Sequence, residues 1–187
     1  MRQELLTRTL PVLAALWLAG CQVWNPGGTP YTGKDGVFTV RTPAGWMYAT
    51  SLGNDLLATK DGPVLQEIII EHRELKDPLP HSKRTLTASL APYEVAEAVT
   101  DNLRADHSLL GLEIKENIPA SVGGRPGFKL VFNFRTGDKL RLSEQCYGCL
   151  AGGRLWLVRY RAPSRHYFER DQADFETMVK DFQFGRL

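Results

Sequence analysis

Two residues lie between Cys146 and Cys149 in the segment Cys-Tyr-Gly-Cys, and this spacing makes the two cysteines the first candidates for chemistry. Such a pair can be a redox dithiol, half of a zinc site, or a structural pair. A thioredoxin-like pair needs a helix N-terminus to lower its thiol pKa, whereas this motif ends a predicted strand. A zinc site needs further ligands, and the histidines are scattered singly at His72, His81, His107 and His166.

Backbone geometry leaves the pairing of the two cysteines open. On a regular strand, residues three apart lie about 10 Å apart on opposite faces, which prevents a disulfide. If Tyr147 and Gly148 form a tight turn, the Cα separation falls below about 7 Å and a disulfide can form. The sequence thus allows a structural disulfide, two free thiols, or a metal or redox role. It identifies no metal-ligand set and predicts no cofactor.

Arginines concentrate near the C-terminal end of the chain. Some of them could line an anion or phospholipid-headgroup patch, for which the candidates are Arg154, Arg159, Arg161 and Arg165. The alternative is a solvated face on which neighbouring carboxylates balance these charges. The chain has no G-x-S-x-G or H-E-x-x-H motif and no phosphate-binding glycine loop between a strand and a helix.

The segment Leu-Ala-Gly-Cys at residues 18–21 closes an apolar run that follows two arginines, Arg2 and Arg8. A basic region, an apolar region and small residues before a cleavage point are typical of a secretory signal. The cysteine directly after Leu-Ala-Gly resembles the lipobox of bacterial lipoproteins. That resemblance implies a signal peptide at residues 1–20 and acylation of Cys21, which would anchor the protein to a membrane. Gln22, in place of Asp, points to the periplasmic face of the outer membrane.

Charge gives no support for a nucleic-acid partner. Without residues 1–21 the chain keeps 21 basic and 20 acidic side chains, which is close to neutral. Prolines and glycines in residues 22–34 predict a flexible linker after the lipidated cysteine, so residues 21–34 form one segment. Residues 35–187 are then long enough for a single domain with its own core.

Periodicity within that domain predicts strands separated by turns, and two helices. Strands are expected at 37–40, 56–59, 64–73, 112–122, 127–135, 139–146 and 155–160. A polar loop at 74–84 is long enough to be functional or mobile. Pro92 begins a helix to about Asp106, and Ser164 is a plausible N-cap for a second helix. On that helix an aromatic stripe faces the core, and the expected wet face is Asp171, Asp174, Glu176 and Lys180.

This order predicts an α+β fold, an antiparallel sheet of about six or seven strands with helices packed on its faces. Phe38-Thr39-Val40 followed by Pro43 and Trp46, and the closing Tyr160-Arg161-Ala162-Pro163 with its helix, look like the PsbP/Mog-like superfamily. The resemblance implies that fold. Members include photosystem assembly proteins, a Ran-binding protein and bacterial envelope proteins without a shared catalytic residue set, so no site residue carries over.

The sequence therefore favours a lipid-anchored, non-catalytic binding or accessory protein of the bacterial envelope. Its partners would be the membrane, through Cys21, and an envelope protein or lipid that the sequence does not identify. The alternative hypothesis is a thiol-redox or metal-dependent enzyme centred on Cys146 and Cys149.

Overall fold

Alternating apolar residues fold most of the chain into antiparallel strands. The computed structural model describes residues 24–50 and 53–186; the predicted signal peptide and Cys21 lie outside them. The strands are β1 Asn25–Pro26, β2 Pro30–Thr32, β3 Phe38–Arg41, β4 Met47–Ala49, β5 Leu56–Thr59, β6 Glu67–Glu74, β7 Leu110–Val122, β8 Arg125–Arg135, β9 Arg141–Ala151, β10 Arg154–Pro163 and β11 Gln183–Phe184. The helices are α1 Pro92–Arg104 and α2 Tyr167–Asp181.

Eight strands form one antiparallel sheet in the order β1-β4-β5-β6-β10-β9-β8-β7, and β11-β3-β2 form a small second sheet. Strand β10 is central, because it pairs with β6 on one side and β9 on the other. Consistent with that position, Trp156 and Tyr160 are fully buried. The predicted α+β class with a large antiparallel sheet is confirmed, with eight strands in the main sheet rather than six or seven.

Helix α1 covers one face of the large sheet. Phe128, Leu130, Phe132 and Phe134 alternate along β8 and all point to this face, where they pack against Val95 and Val99 of the helix. Pro92 occupies the first turn, as expected from its fixed φ. The Glu94 carboxylate accepts the N–H of Ala91 at 2.7 Å and so caps the helix start.

Helix α2 and the small sheet cover the opposite face. Phe175, Met178 and Val179 pack on Trp156 and Tyr160 of the central strand. The helix begins at Tyr167, so the prediction of Ser164 as its N-cap is wrong. Ser164 instead extends the pairing of β10 with β9: its N–H donates to the carbonyl of Arg141, and its hydroxyl accepts from Ser143 at 2.8 Å.

The segment predicted as a flexible linker contributes structure from Asn25 onward. Strand β1 pairs with β4, and β2 pairs with β3. Tyr31 packs between Phe38 and Tyr48, with ring centroids 5.9 and 5.3 Å away. The linker expectation is therefore wrong for residues 25–34, because the turns made by prolines and glycines bring short strands back onto the sheet.

Candidate functional site: a cleft beside helix α1

The Cys-Tyr-Gly-Cys motif lies inside strand β9, which continues to Ala151 instead of turning at Tyr147 and Gly148. Side chains on a strand alternate between faces. Cys146 therefore joins the core under α1, and Cys149 joins the core under α2. Both thiols are free and buried. Of the alternatives that the sequence left open, the structure has two free thiols and no disulfide, since thiols on opposite faces of one strand cannot meet.

Burial also makes both thiols poor nucleophiles. It raises the pKa of Cys149 to about 12, and it raises the pKa of Cys146 further. A thiolate is the reactive form of cysteine, so both groups are protonated and inert near neutral pH. This environment disfavours the thiol-redox alternative.

Three of the four arginines predicted as an anion patch are bound to glutamates. Arg154 Nε donates to Glu74 at 2.6 Å, at the end of the sheet. Arg159 and Arg161 point to the α1 face and share the buried Glu144. Arg165 is exposed. The four arginines therefore do not form one patch, because strand alternation turns Arg154 away from Arg159 and Arg161 and each of the three is paired with a carboxylate.

A cleft of about 220 Å³ opens beside α1, above strands β6, β9 and β10. Its apolar wall comes from both the helix and the strands, through Val99, Leu103, Leu155 and Leu157. The long 74–84 loop closes one side, with Leu79 only 3% exposed. The sequence flagged this loop as functional or mobile, and its buried leucine makes it a fixed wall of the cleft.

The polar floor of the cleft is built around Glu144. Its Oε1 accepts Arg159 Nε at 2.6 Å and its Oε2 accepts Arg161 Nε at 2.7 Å. Arg159 Nη1 also donates to Glu71 at 2.8 Å. Burial alone would raise the pKa of Glu144, but the two guanidinium groups outweigh it and hold the pKa below its usual value. Glu144 is therefore ionised in the folded protein at neutral pH.

The polar side chains at the mouth of the cleft are paired with other groups of the protein. His81 Nε2 lies 3.4 Å from Asp106 Oδ2. The Asn102 side-chain oxygen accepts the backbone N–H groups of His81 and Ser82, which fixes the loop to α1. On the other side, Arg73 Nη1 donates to the carbonyl of Pro78. These contacts hold the opening in one shape.

Sequence reasoning missed Glu144 as the centre of this site. The signal was present in two strands: the polar triplet Ser143-Glu144-Gln145 interrupts an otherwise apolar strand, and Arg159 and Arg161 follow Leu155 and Leu157 at alternate positions. Combining them requires the β9–β10 register, in which Arg161 lies opposite Glu144. That register was not predicted.

A second buried carboxylate, Asp171 of α2, was predicted on the wet face and is instead fully buried. It accepts hydrogen bonds from Lys60 at 3.1 Å, Gln66 at 3.1 Å and Arg170. Burial would raise its pKa, but Arg170 and Lys60 hold it below its usual value. This cluster ties the start of α2 to the β5–β6 turn, and we interpret it as structural.

Among residues 24–50 and 53–186, no group of three or more His, Cys, Asp or Glu is arranged to hold a metal ion. The helices in this part of the chain are too short or too polar to span a bilayer.

The fold is that of the PsbP/Mog1-like proteins. The chain resembles cyanobacterial PsbP (CyanoP) from Synechocystis sp. PCC 6803, with a TM-score of 0.59 and 14% identity over 89% of this chain and 95% of that one. It also resembles LpqN, which is involved in cell envelope biogenesis of Mycobacterium tuberculosis, with a TM-score of 0.57 and 14% identity over 84% and 90% of the two chains.

A third similar structure is the Ran-binding protein Mog1p of Saccharomyces cerevisiae, with a TM-score of 0.55 and 11% identity over 86% of this chain and 96% of that one. No family model and no curated protein sequence matches the chain. At these identities the likeness establishes the fold, and a function has to be argued from the site.

Proposed function

We propose that this protein is a lipid-anchored, non-catalytic binding module of the bacterial envelope, and that the cleft beside α1 is its binding site. The observation that carries the binding role is the composition of the cleft. Half of its lining residues are apolar, and hydrogen bonds and ion pairs hold polar ones in fixed positions, as a concave site needs in order to orient a ligand.

The electrostatics of the cleft favour binding over catalysis. A general acid or base works best with a pKa near the operating pH. Glu144 instead has a lowered pKa, and Cys146, the nucleophile on the floor, has a raised one. Both shifts move the pKa values away from neutral pH, so the floor suits recognition of a charge or a hydrogen-bonding group.

The envelope location is proposed from the lipobox at residues 18–21, with Cys21 as the acylated residue. LpqN, a protein of the same fold that is involved in cell envelope biogenesis, supports this setting. Mog1p, which binds Ran, shows that the fold also occurs in a protein-binding protein. We propose that the anchor faces the periplasm from the outer membrane.

The anchor is tested by comparing the wild type with Cys21→Ala after expression in a bacterial host. We expect the wild-type protein to partition into detergent and to carry the mass of a diacylglyceryl and an acyl group, whereas Cys21→Ala does neither. Cys149→Ser, which changes a buried cysteine of the body, is the control and should stay lipidated. A wild-type protein without added acyl mass would refute the anchor.

The binding site is tested by placing a photo-crosslinking amino acid at His81, at the mouth of the cleft. The same amino acid at Asp138, in the exposed β8–β9 loop, is the control. We expect His81 to capture a discrete species in intact cells that Asp138 does not capture. Identical products from both positions would argue against the cleft as the binding site.

A further inference from the structure

The floor of the cleft presents hydrogen-bond donors that its own carboxylates do not use. Arg159 binds Glu144 and Glu71 through Nε and Nη1. Arg161 binds Glu144 through Nε and approaches Glu67 through Nη1 at 3.3 Å. The Nη2 group of each arginine has no hydrogen-bond partner among the described residues. Two guanidinium groups that share one carboxylate are thus held side by side with donors to spare.

The charges of the cleft balance, so its unused donors favour a particular ligand. Three arginines line the cleft (Arg73, Arg159 and Arg161) against three carboxylates, Glu71, Glu144 and Asp106. Glu67 neutralises part of Arg161 but does not line the cleft. Of the three lining carboxylates, Asp106 is at the mouth beside His81. A carboxylate that enters to the floor therefore meets no net charge of either sign, and its oxygens can accept from the unused Nη2 groups of Arg159 and Arg161. An ammonium group has no acceptor to offer these donors.

The wall between the floor and the mouth of the cleft is apolar, and the cleft is small. Val99, Leu103, Leu155 and Leu157 give a ligand no hydrogen-bonding side chain above the floor. The volume of about 220 Å³ corresponds to about seven waters of the liquid, which limits the ligand to a short apolar chain or a single ring.

We propose that the cleft binds a small monocarboxylic acid with an apolar body, and that Arg159 and Arg161 together hold its carboxylate. Paired N–H donors suit the two oxygens of a carboxylate, and guanidinium–carboxylate hydrogen bonds are among the strong ones in proteins. The apolar body lies against the leucines of β10 and α1. The inference rests on the proposed binding role of the cleft and names its ligand class.

The test uses the protein body with Cys21→Ala and four probes, followed by titration calorimetry and chemical-shift mapping. Octanoate has both the acid and the chain, octylamine reverses the charge, 1-octanol lacks it, and acetate lacks the chain. We expect octanoate to bind at least about tenfold more tightly than each of the other three, with shifts at Arg159, Arg161 and Leu157. Equal binding of octylamine or 1-octanol, or no binding of octanoate, would overturn the proposal.

Two matched variants test where the carboxylate of the ligand binds. Arg161→Met removes a floor donor, and Arg154→Met removes an arginine of the same strand that binds Glu74 outside the cleft. We expect Arg161→Met to weaken octanoate binding at least about tenfold and Arg154→Met to leave it unchanged. Equal effects of the two variants would refute the location. If Arg161→Met does not fold, the probe comparison on the unchanged cleft decides.

A variant that fills the cleft, together with the crosslinking experiment, separates the carboxylic-acid proposal from the broader proposal that the cleft is a binding site. Leu103→Trp places a large ring in the cavity and should abolish octanoate binding. Failure of octanoate to bind, with specific crosslinking retained at His81, would reject the carboxylic acid and leave the binding module standing. Loss of specific crosslinking at His81 would count against the binding module itself.

Discussion

At the scale of single residues, Glu144 is a buried charge that two arginines share. Its side chain is 1% exposed and carries two arginines that are themselves 20% and 30% exposed. Breaking a buried ion pair by neutralising one partner leaves uncompensated charge and typically costs about 3–5 kcal/mol. We therefore expect Glu144→Gln to lower the free energy of unfolding by about that amount at pH 7, measured by urea denaturation.

The same variant has a defined pH dependence. The pKa of Glu144 is lowered in the folded protein from its ordinary value of 4.5, so the stability it provides is present above that pH. As the pH falls through 4.5 toward the lowered pKa, the difference between wild type and Glu144→Gln should shrink. Glu113→Gln, which alters an exposed pair with Lys115, is the control and should give a difference close to zero throughout. A difference that stays constant down to pH 2.5 would contradict the ionised state of Glu144.

The two body cysteines give a second residue-scale prediction. Since burial raises both thiol pKa values, iodoacetamide at pH 8 should modify neither Cys146 nor Cys149 in the folded Cys21→Ala protein. In denaturant without reductant, two thiols per chain should react, because no disulfide joins them. Mass spectrometry counts the modified groups. Rapid labelling of one thiol in the folded protein would restore the thiol-enzyme alternative.

At the scale of elements, the glycine of the Cys-Tyr-Gly-Cys motif has a packing explanation. Gly148 lies opposite Phe128 in the β8–β9 register, and the space beside it is filled by the Phe128 ring and Leu157. A Cβ at position 148 would lie 2.9 Å from Leu157 Cδ2, closer than real contacts allow. The glycine thus admits an aromatic ring into the α1 face of the sheet between the two cysteines.

Gly148→Ala should consequently strain the sheet under α1. Overpacking of a close-packed core typically costs about 1–3 kcal/mol, and we expect a loss of that size in thermal or urea unfolding. Gly137→Ala is the matched control, because a Cβ there would meet nothing within 4 Å. If both variants unfold together with the wild type, the sheet accommodates the methyl group and the packing explanation is wrong.

Sequence patterns predicted the positions of helices and strands better than they predicted which strands pair with each other. The strand at 56–59 and the Pro92 helix were placed correctly because local turn chemistry and periodicity determine them. The end of β9 was misplaced, since glycine in a strand reads as a stop although here it makes room for Phe128. The Glu144 site depends on the register of three strands and on a loop packed over it. Pairing between distant strands is set by tertiary contacts that a local pattern does not contain.

At the scale of the whole molecule, residues 25–33 belong to the folded body. Gly27 and Gly28 donate backbone N–H groups to Trp46 and Thr42 at 2.7 and 2.8 Å, and Tyr31 packs on two aromatic rings. Each aromatic pair contributes about 0.5–1.5 kcal/mol beyond its buried area. A chain beginning at Asp35 should therefore be less stable than one beginning at Trp24 by at least about 1–3 kcal/mol in urea unfolding. Equal stabilities would show that the two short strands are dispensable.

Because β1 begins only a few residues after Cys21, the proposed lipidation of Cys21 also limits the distance between the folded body and the membrane. Asn25 of β1 is the fourth residue after Cys21, and a chain spans at most about 3.6 Å per residue, so the attachment point lies within about 14 Å of the lipidated residue. A free linker to Lys34 would have allowed about 47 Å when extended. The body should accordingly rest close to the lipid headgroups, with the β1 edge of the large sheet as its attached side.

Neutron reflectometry on lipidated protein at a supported bilayer measures this spacing. We expect a water-rich layer thinner than about 14 Å between the headgroups and the protein. Ten Gly/Ser residues inserted between Gln22 and Val23 behave as a flexible coil and should widen that layer by about 17 Å. The same insertion between Thr136 and Gly137, in the β8–β9 loop, keeps the chain length equal and should leave the layer thin. An unchanged layer after the Gln22 insertion would mean that the body is held at the membrane by something other than Cys21.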